Sequence, residues 1–219
     1  MIKIKIIVLF LFLLFIENYP KVKKFSANTK FNIYRSLMCL FFTLYSLENT
    51  VNNLFNGFTQ PYDFKHVGFT DISEWFFAYL VLDIGKMIWM KNTRFDLYLH
   101  HLAVLITFSA GFYYNKIGFI YSFGLINEVL SVFSGIDSIY IEEKQTDKSK
   151  KCKFYRKNII KYIRRPIWLI MLLITLYNKN NLPIFIFCNH LIGSLFIIIL
   201  DVYWERKCNK IIESKHIKL

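Results

Sequence analysis

An all-α fold, a multi-pass bundle of transmembrane helices, is what this sequence predicts, and three observations predict it. Hydrophobic residues make up 55% and aromatics 19% of the 219 residues, more apolar surface than one soluble domain could cover. The apolar stretches run on without alternating, which argues against an outer-membrane barrel. The basic residues fall between those stretches, and unevenly so. In a bilayer the outer faces need no cover, whereas every backbone polar group must be satisfied within its own segment, so helices follow.

A crossing takes about 20 mostly apolar residues. Six windows meet that length: 36–55, 72–90, 95–114, 118–136, 159–178 and 182–204. The fifth is the weakest. Its uninterrupted apolar run covers only 167–177, so it spans if 159–163 extend it and Arg164 and Arg165 snorkel to the interface. Lys179-Asn180-Asn181 makes a polar turn, with Pro183 in the first turn of the next helix. Ahead of the six lies a shorter apolar run, 6–16, preceded by Lys3 and Lys5. Its length suits a signal-peptide core, yet no small-x-small cleavage site follows it. An uncleaved extra helix keeps the basic 17–35 stretch on the cytoplasmic side, though it places Lys3 and Lys5 outside. The expected organisation is therefore six core helices plus one N-terminal hydrophobic segment. Residues 1–30 form that segment and a basic linker, 31–210 the membrane domain, and 211–219 a basic tail.

The charges set an orientation. Of the 28 Lys and Arg, 22 lie in 17–35, 91–94, 138–165 and the stretch from Arg206 onward, against Lys65, Lys116 and Lys179 in the alternate loops. Basic loops stay cytoplasmic, so the C-terminus is expected in the cytoplasm. The formal charge of +13 would otherwise suggest nucleic acid, but no soluble basic domain is left to hold one. The 138–165 stretch reads as a solvated loop that also attracts anionic headgroups. Cys39, Cys152, Cys188 and Cys208 form no CxxC pair or zinc spacing.

Polar residues inside the windows carry the functional signal, since a charge in hydrocarbon costs about 2.5–3.5 kcal/mol. Asp83 and Lys86 stand three apart on one helix face, where pairing would lower that cost. The third window opens Arg94-Phe95-Asp96 and reaches His100-His101; Asp96 and His100, four apart, can place a carboxylate beside an imidazole and fix its tautomer. Structural readings stand beside each: an ion pair for Asp83 and Lys86, a helix-dipole contact for Asp96. Asn127 and Glu128 lie in the fourth window and His190 in the sixth; interhelical packing would explain each. The histidine pair is harder to set aside. Adjacent helical positions point about 100° apart, so at least one ring turns inward. No metal site is expected, because adjacent histidines lack the i, i+4 spacing of two ligands on one face.

The stretches Tyr79 to Asp83, Arg94 to Leu102 and Asn127 to Phe133 resemble the TLC domain, the family that includes ceramide synthases. The resemblance covers roughly 31–210. It implies a helical bundle around a lipid-accessible cavity, with His100 and His101 as the reactive pair and Asp83 and Asp96 as supporting carboxylates. Asp96 stands only four residues before His100, and Glu128 falls where the synthases favour aspartate. The shorter spacing brings the chain nearer to the non-synthase branch, although Leu130 falls where serine is usual in that branch's Glu-Leu-Ser-Thr run. Lys86, Arg94, Asn127, Glu128 and His190 are expected to be polar groups of the cavity. The resemblance implies lipid metabolism or lipid homeostasis in the endoplasmic reticulum or another endomembrane. The partners would be membrane lipids, fatty-acyl chains or sphingoid bases. If the chain is an enzyme, it is an acyltransferase with acyl-CoA as co-substrate and no bound cofactor. His100, beside Asp96, would be the tuned ring and His101 the one free to react. A non-catalytic cargo receptor or lipid-sensing scaffold is the alternative. A channel or seven-helix receptor is a third reading, though no acidic pore ring supports it.

Overall fold

The computed structural model describes residues 2–92 and 94–214. Among them there are helices and no strands. In chain order the helices are α1 (Ile2–Asn18), α2 (Pro20–Lys23), α3 (Ala27–Asn52), α4 (Leu54–Thr59), α5 (Val67–Trp89), α6 (Phe95–Tyr113), α7 (Phe119–Leu125), α8 (Val129–Glu142), α9 (Thr146–Ile159), α10 (Arg165–Tyr177) and α11 (Ile184–Glu213). A single 3-10 turn, Ile126–Glu128, joins α7 to α8, and a π turn, Ile160–Arg164, joins α9 to α10. Each of these pairs is thus one long rod with a local irregularity.

Among the described residues three helices are long and apolar enough to cross a membrane: Phe95–Tyr113, Phe119–Glu142 and Ile184–Glu213. That is consistent with an integral membrane protein. The distribution of side chains agrees. In α11 the buried positions are Ile186, His190, Ser194, Ile197, Leu200, Asp201, Trp204 and Cys208, a helical stripe that mixes apolar with polar and charged groups. Ile184, Ile192, Leu195 and Ile199 face outward, and Ile199 is 69% exposed. Polar groups inside and large aliphatics outside invert the arrangement of a soluble protein.

Helix α3 is the central element, packing most extensively on α8 and also touching α1, α5 and α7. The α3–α8 crossing is close: a Cβ on Gly135 would meet Ser36 Oγ at 2.3 Å and the Asn32 carbonyl oxygen at 2.6 Å. Only glycine admits that approach, and the Gly135 amide donates to Ser36 Oγ at 2.8 Å. Helix α1 lies along α5 and α3, burying Leu9, Leu13 and Ile16. Lys5, which the extra-helix reading left with an unfavourable charge, is buried and paired with Asp71 at 2.6 Å and Glu74 at 2.9 Å.

The structure corrects several expected boundaries. Residues 138–165 are largely helical, with α9 carrying its polar sequence into the bundle; Ser149, Cys152 and Lys153 are buried. Arg164 does not snorkel outward, being 2% exposed. The sixth helix runs past 204 to Glu213 and takes up the start of the basic tail; residues 215–219 of that tail lie outside the described residues.

Candidate functional site

Consecutive residues on a helix point about 100° apart, and α6 lies between α5 and α11. His101 therefore faces α5 and His100 faces α11, and both rings are buried. His101 Nδ1 sits 2.9 Å from Asp83 Oδ2, off the line that an N–H would need for a hydrogen bond. His100 packs edge-on to Trp204, with ring centroids 5.6 Å apart, and its Nδ1 is buried without a partner.

Two expected pairings are not the ones formed. Asp83 does not pair with Lys86. Its fully buried carboxylate takes Arg35 in a two-pronged contact, Nε to Oδ1 and one terminal nitrogen to Oδ2, each at 2.6 Å. Lys86 instead reaches Glu17 of α1 at 2.8 Å and lies over the Trp89 ring. A bidentate guanidinium matches a buried carboxylate better than a lone ammonium does. Nor does Asp96 orient His100. It binds Arg94 at 2.6 Å and accepts the Trp204 indole N–H at 2.8 Å. Asp96 thus holds the tryptophan that packs on His100, and the carboxylate beside an imidazole is Asp83, next to His101.

A second buried charge pair closes the neighbouring wall. Arg164 donates through Nε to Asp201 at 3.0 Å and through another nitrogen to the Asn127 carbonyl at 2.8 Å. The 3-10 turn carries Asn127, and the π turn carries Arg164. Irregular turns of this kind often re-aim groups at functional sites. The Asn127 side chain is buried without a hydrogen-bond partner. Glu128 accepts a hydrogen bond from Cys39 Sγ at 3.4 Å. On α9, Lys153 and Ser149 both contact Asp137. Lys153 lies outside the expected spans. Burial, with Arg156 alongside, draws its ammonium below the ordinary value against the pull of Asp137.

Two cavities meet at the histidines. One, of about 150 Å³, is polar and is lined by Arg35, Arg94, His100, His101, Lys153, Arg156, Arg164 and Trp204, among others. The other, a narrow apolar space of about 60 Å³, is lined by Phe76, His100, Val104, Phe108, Leu125, Glu128, Trp168, Met171 and Ile197, and it reaches His190. His100 belongs to both. A groove on the outer face between α6 and α11 shares Ala103, Thr107, Asn189 and Gly193 with the apolar space.

His190 marks the far end, away from the histidine pair. Its Nε2 lies 3.0 Å from Tyr121 Oη, and its Nδ1 lies 3.4 Å from Tyr62 Oη. Tyr121 Oη donates to the Thr107 carbonyl at 3.3 Å, so its lone pair is left for the His190 Nε2–H.

The structure brings together His100, His101, Asp83, Arg94, Asp96, Asn127 and Glu128. It leaves Lys86 on the α1 side, while His190 lines the far end of the apolar cavity that His100 also lines. Arg35, Arg164 and Asp201 complete the cluster; the signal for Arg35 and Arg164 was that each lies within a helical turn of an apolar window that needs a counter-charge. Among the described residues no three His, Cys, Asp or Glu side chains converge as a metal site requires. No family model matches this chain, and neither curated proteins nor solved structures yield a match.

Proposed function

We propose that this chain is a six-span membrane bundle with an additional N-terminal helix, and that it handles lipid at the junction marked by His100 and His101. The observation that carries this reading is the position of His100, which lines both a polar cavity and an apolar one. An amphiphile has the same two halves. Its acyl chain would lie among Phe76, Phe108 and Met171, and its polar end among the arginines. The outer groove between α6 and α11 offers a route for the chain from the surrounding bilayer. The resemblance to the TLC domain points the same way, towards lipid balance in an endomembrane. The excess of basic residues at the polar end supports a cytoplasmic position for that end and for the C-terminus.

If the site is catalytic, acyl transfer suits it, and the geometry favours His100 over His101 as the reacting ring. A neutral imidazole nitrogen of His100 attacks a thioester carbonyl of acyl-CoA; the carbon–sulfur bond breaks and thiolate leaves. An amine or hydroxyl of the acceptor then attacks the acyl-imidazole. The carbon–nitrogen bond to the ring breaks, and the acceptor's proton passes to the released imidazole. Asp83, itself held by Arg35, positions His101 against the partner ring.

Mass spectrometry of lipid carried through purification tests the reading. The wild type is expected to retain a single-chain or two-chain lipid, and His100→Ala to lose the bound species or its acyl product. A wild type that carries no lipid, combined with unchanged cellular lipid profiles for both proteins, would overturn it in favour of a non-catalytic receptor.

A further inference from the structure

The polar cavity contains more hydrogen-bond donors than its own carboxylates satisfy. Arg35, Arg94, Lys153, Arg156 and Arg164 all line it, and Asp137 is the one carboxylate in its wall. Asp83, Asp96 and Asp201 lie behind the wall, each holding an arginine from the rear. Arg164, 2% exposed, leaves a terminal guanidinium nitrogen buried without a partner, and Arg156 leaves its Nε in the same condition. The nearest carboxylate oxygen to Arg156 is Asp137 Oδ2, at 3.9 Å. His100 Nδ1 is a third buried atom with no partner on this cavity.

Unsatisfied buried donors are rare because each forfeits the hydration it had in water. Two sit here together, one of them on an arginine that Asp201 and the Asn127 carbonyl hold in place, beside an imidazole nitrogen that donates in one of its tautomers. That arrangement calls for an anion rich in acceptors. We infer that the polar cavity is a phosphate site, and that the lipid held at the histidine junction carries a phosphate on its headgroup. This inference rests on the lipid-handling reading and adds the class of headgroup. Three terminal oxygens of a phosphate monoester can take N–H groups from Arg164, Arg156 and His100 at once, whereas a carboxylate offers two oxygens in one plane. Arginine forks are suited to such oxyanions.

The test uses the purified full chain in detergent and measures affinity for ligands with one common acyl chain. Lysophosphatidate is expected to bind about tenfold or more tightly than the uncharged monoacylglycerol, the scale of one charge-assisted hydrogen bond. Arg156→Gln should cut that preference to about threefold or less by weakening lysophosphatidate far more than monoacylglycerol, whereas Arg156→Lys, which keeps the charge, should retain most of it. A melting curve for each variant confirms that it is folded. Displacement of lysophosphatidate by millimolar inorganic phosphate would support a site that reads the phosphate itself. Tighter binding of an acyl-CoA than of lysophosphatidate would keep the phosphate site but overturn the headgroup assignment, giving the phosphate to the coenzyme. Equal affinity for lysophosphatidate and monoacylglycerol overturns the phosphate site and leaves lipid handling standing. A free fatty acid that outbinds lysophosphatidate overturns it in favour of a carboxylate. Binding of none of the lipids defeats both readings together.

Discussion

At one end of the bundle Asp83 is gripped by Arg35 with His101 alongside, Arg164 is tied to Asp201 and Lys153 to Asp137. At the other end Tyr62 meets Thr175 at 2.8 Å, and His190 sits between the hydroxyls of Tyr62 and Tyr121. The first end buries formal charge and leaves several donors without acceptors. The second buries only neutral groups, and its donors can be followed to backbone carbonyls: Tyr121 to Thr107, and Thr175 to Met171 at 2.8 Å. A closed neutral network holds helices together and asks nothing of a ligand. An open charged one costs stability unless something completes it. The difference favours the histidine pair as the place where a ligand would complete the structure, and it shows His190 held by hydrogen bonds that join helices at the far end of the apolar cavity.

The largest effect should come from breaking the charged end. Asp83→Asn keeps the shape of the side chain but leaves Arg35 as an uncompensated buried cation. Removing one partner of a buried pair costs about 3–5 kcal/mol, so thermal unfolding in detergent should show a large loss. The double variant Arg35→Met with Asp83→Leu removes both charges and should recover most of that loss. A single variant that costs less than about 1 kcal/mol would mean that the pair is not structural, and the contrast between the two ends would fail.

A smaller effect is expected at the neutral end. Tyr62→Phe keeps the ring, which lies 5.3 Å from that of His190, and deletes only the hydroxyl. A neutral hydrogen bond contributes about 0.5–1.5 kcal/mol net, and unfolding should report a loss in that range. Lipid content should stay at the wild-type level. Altered lipid binding in Tyr62→Phe would show that the far end also takes part in ligand recognition.

The long helices were readable in the sequence because continuous apolar runs leave little choice. Windows 95–114 and 182–204 match the starts of α6 and α11 closely. The irregular joints were not read from the sequence: Gly124 stands two residues ahead of the 3-10 turn and Pro166 two past the π turn, but the purpose of the first shows only once Arg164 reaches the Asn127 carbonyl. At the site, the inward turn of at least one histidine and the burial of Asp83 followed from spacing and cost. Their partners did not. Local spacing favours i, i+3 and i, i+4 neighbours, so Lys86 and Asp96 were expected beside Asp83 and His100. The counter-charges instead came from other helices, 48 residues away in sequence for Arg35 and Asp83. Arg35 and Arg164 were counted as cytoplasmic charges because they stand at the ends of apolar runs. A helix-end cation can point inward as readily as outward when a buried carboxylate awaits it.

The mildest prediction concerns a contact outside both cavities, where the charged end meets water. Ser26 caps α3, its Oγ accepting the Thr29 amide at 3.3 Å, and Glu142 at the end of α8 takes the Ser26 amide and hydroxyl, each at 2.8 Å. The Thr29 hydroxyl first, and then Ser26, hold the Glu142 carboxyl below its ordinary value. A carboxyl depressed on folding stabilises the fold above its unfolded pKa, and that contribution fades as pH falls through the folded value. Glu142 is exposed, so water competes for its hydrogen bonds and the effect is small. Melting curves taken from neutral pH down through the carboxylate range should therefore separate slightly. The wild type should lose its small lead over Glu142→Gln below the ordinary glutamate pKa. Raised salt should not abolish the lead, because hydrogen bonds carry it and long-range charge does not. A lead that grows on acidification would show that the contact favours the protonated acid, reversing the sign argued for this end of the bundle.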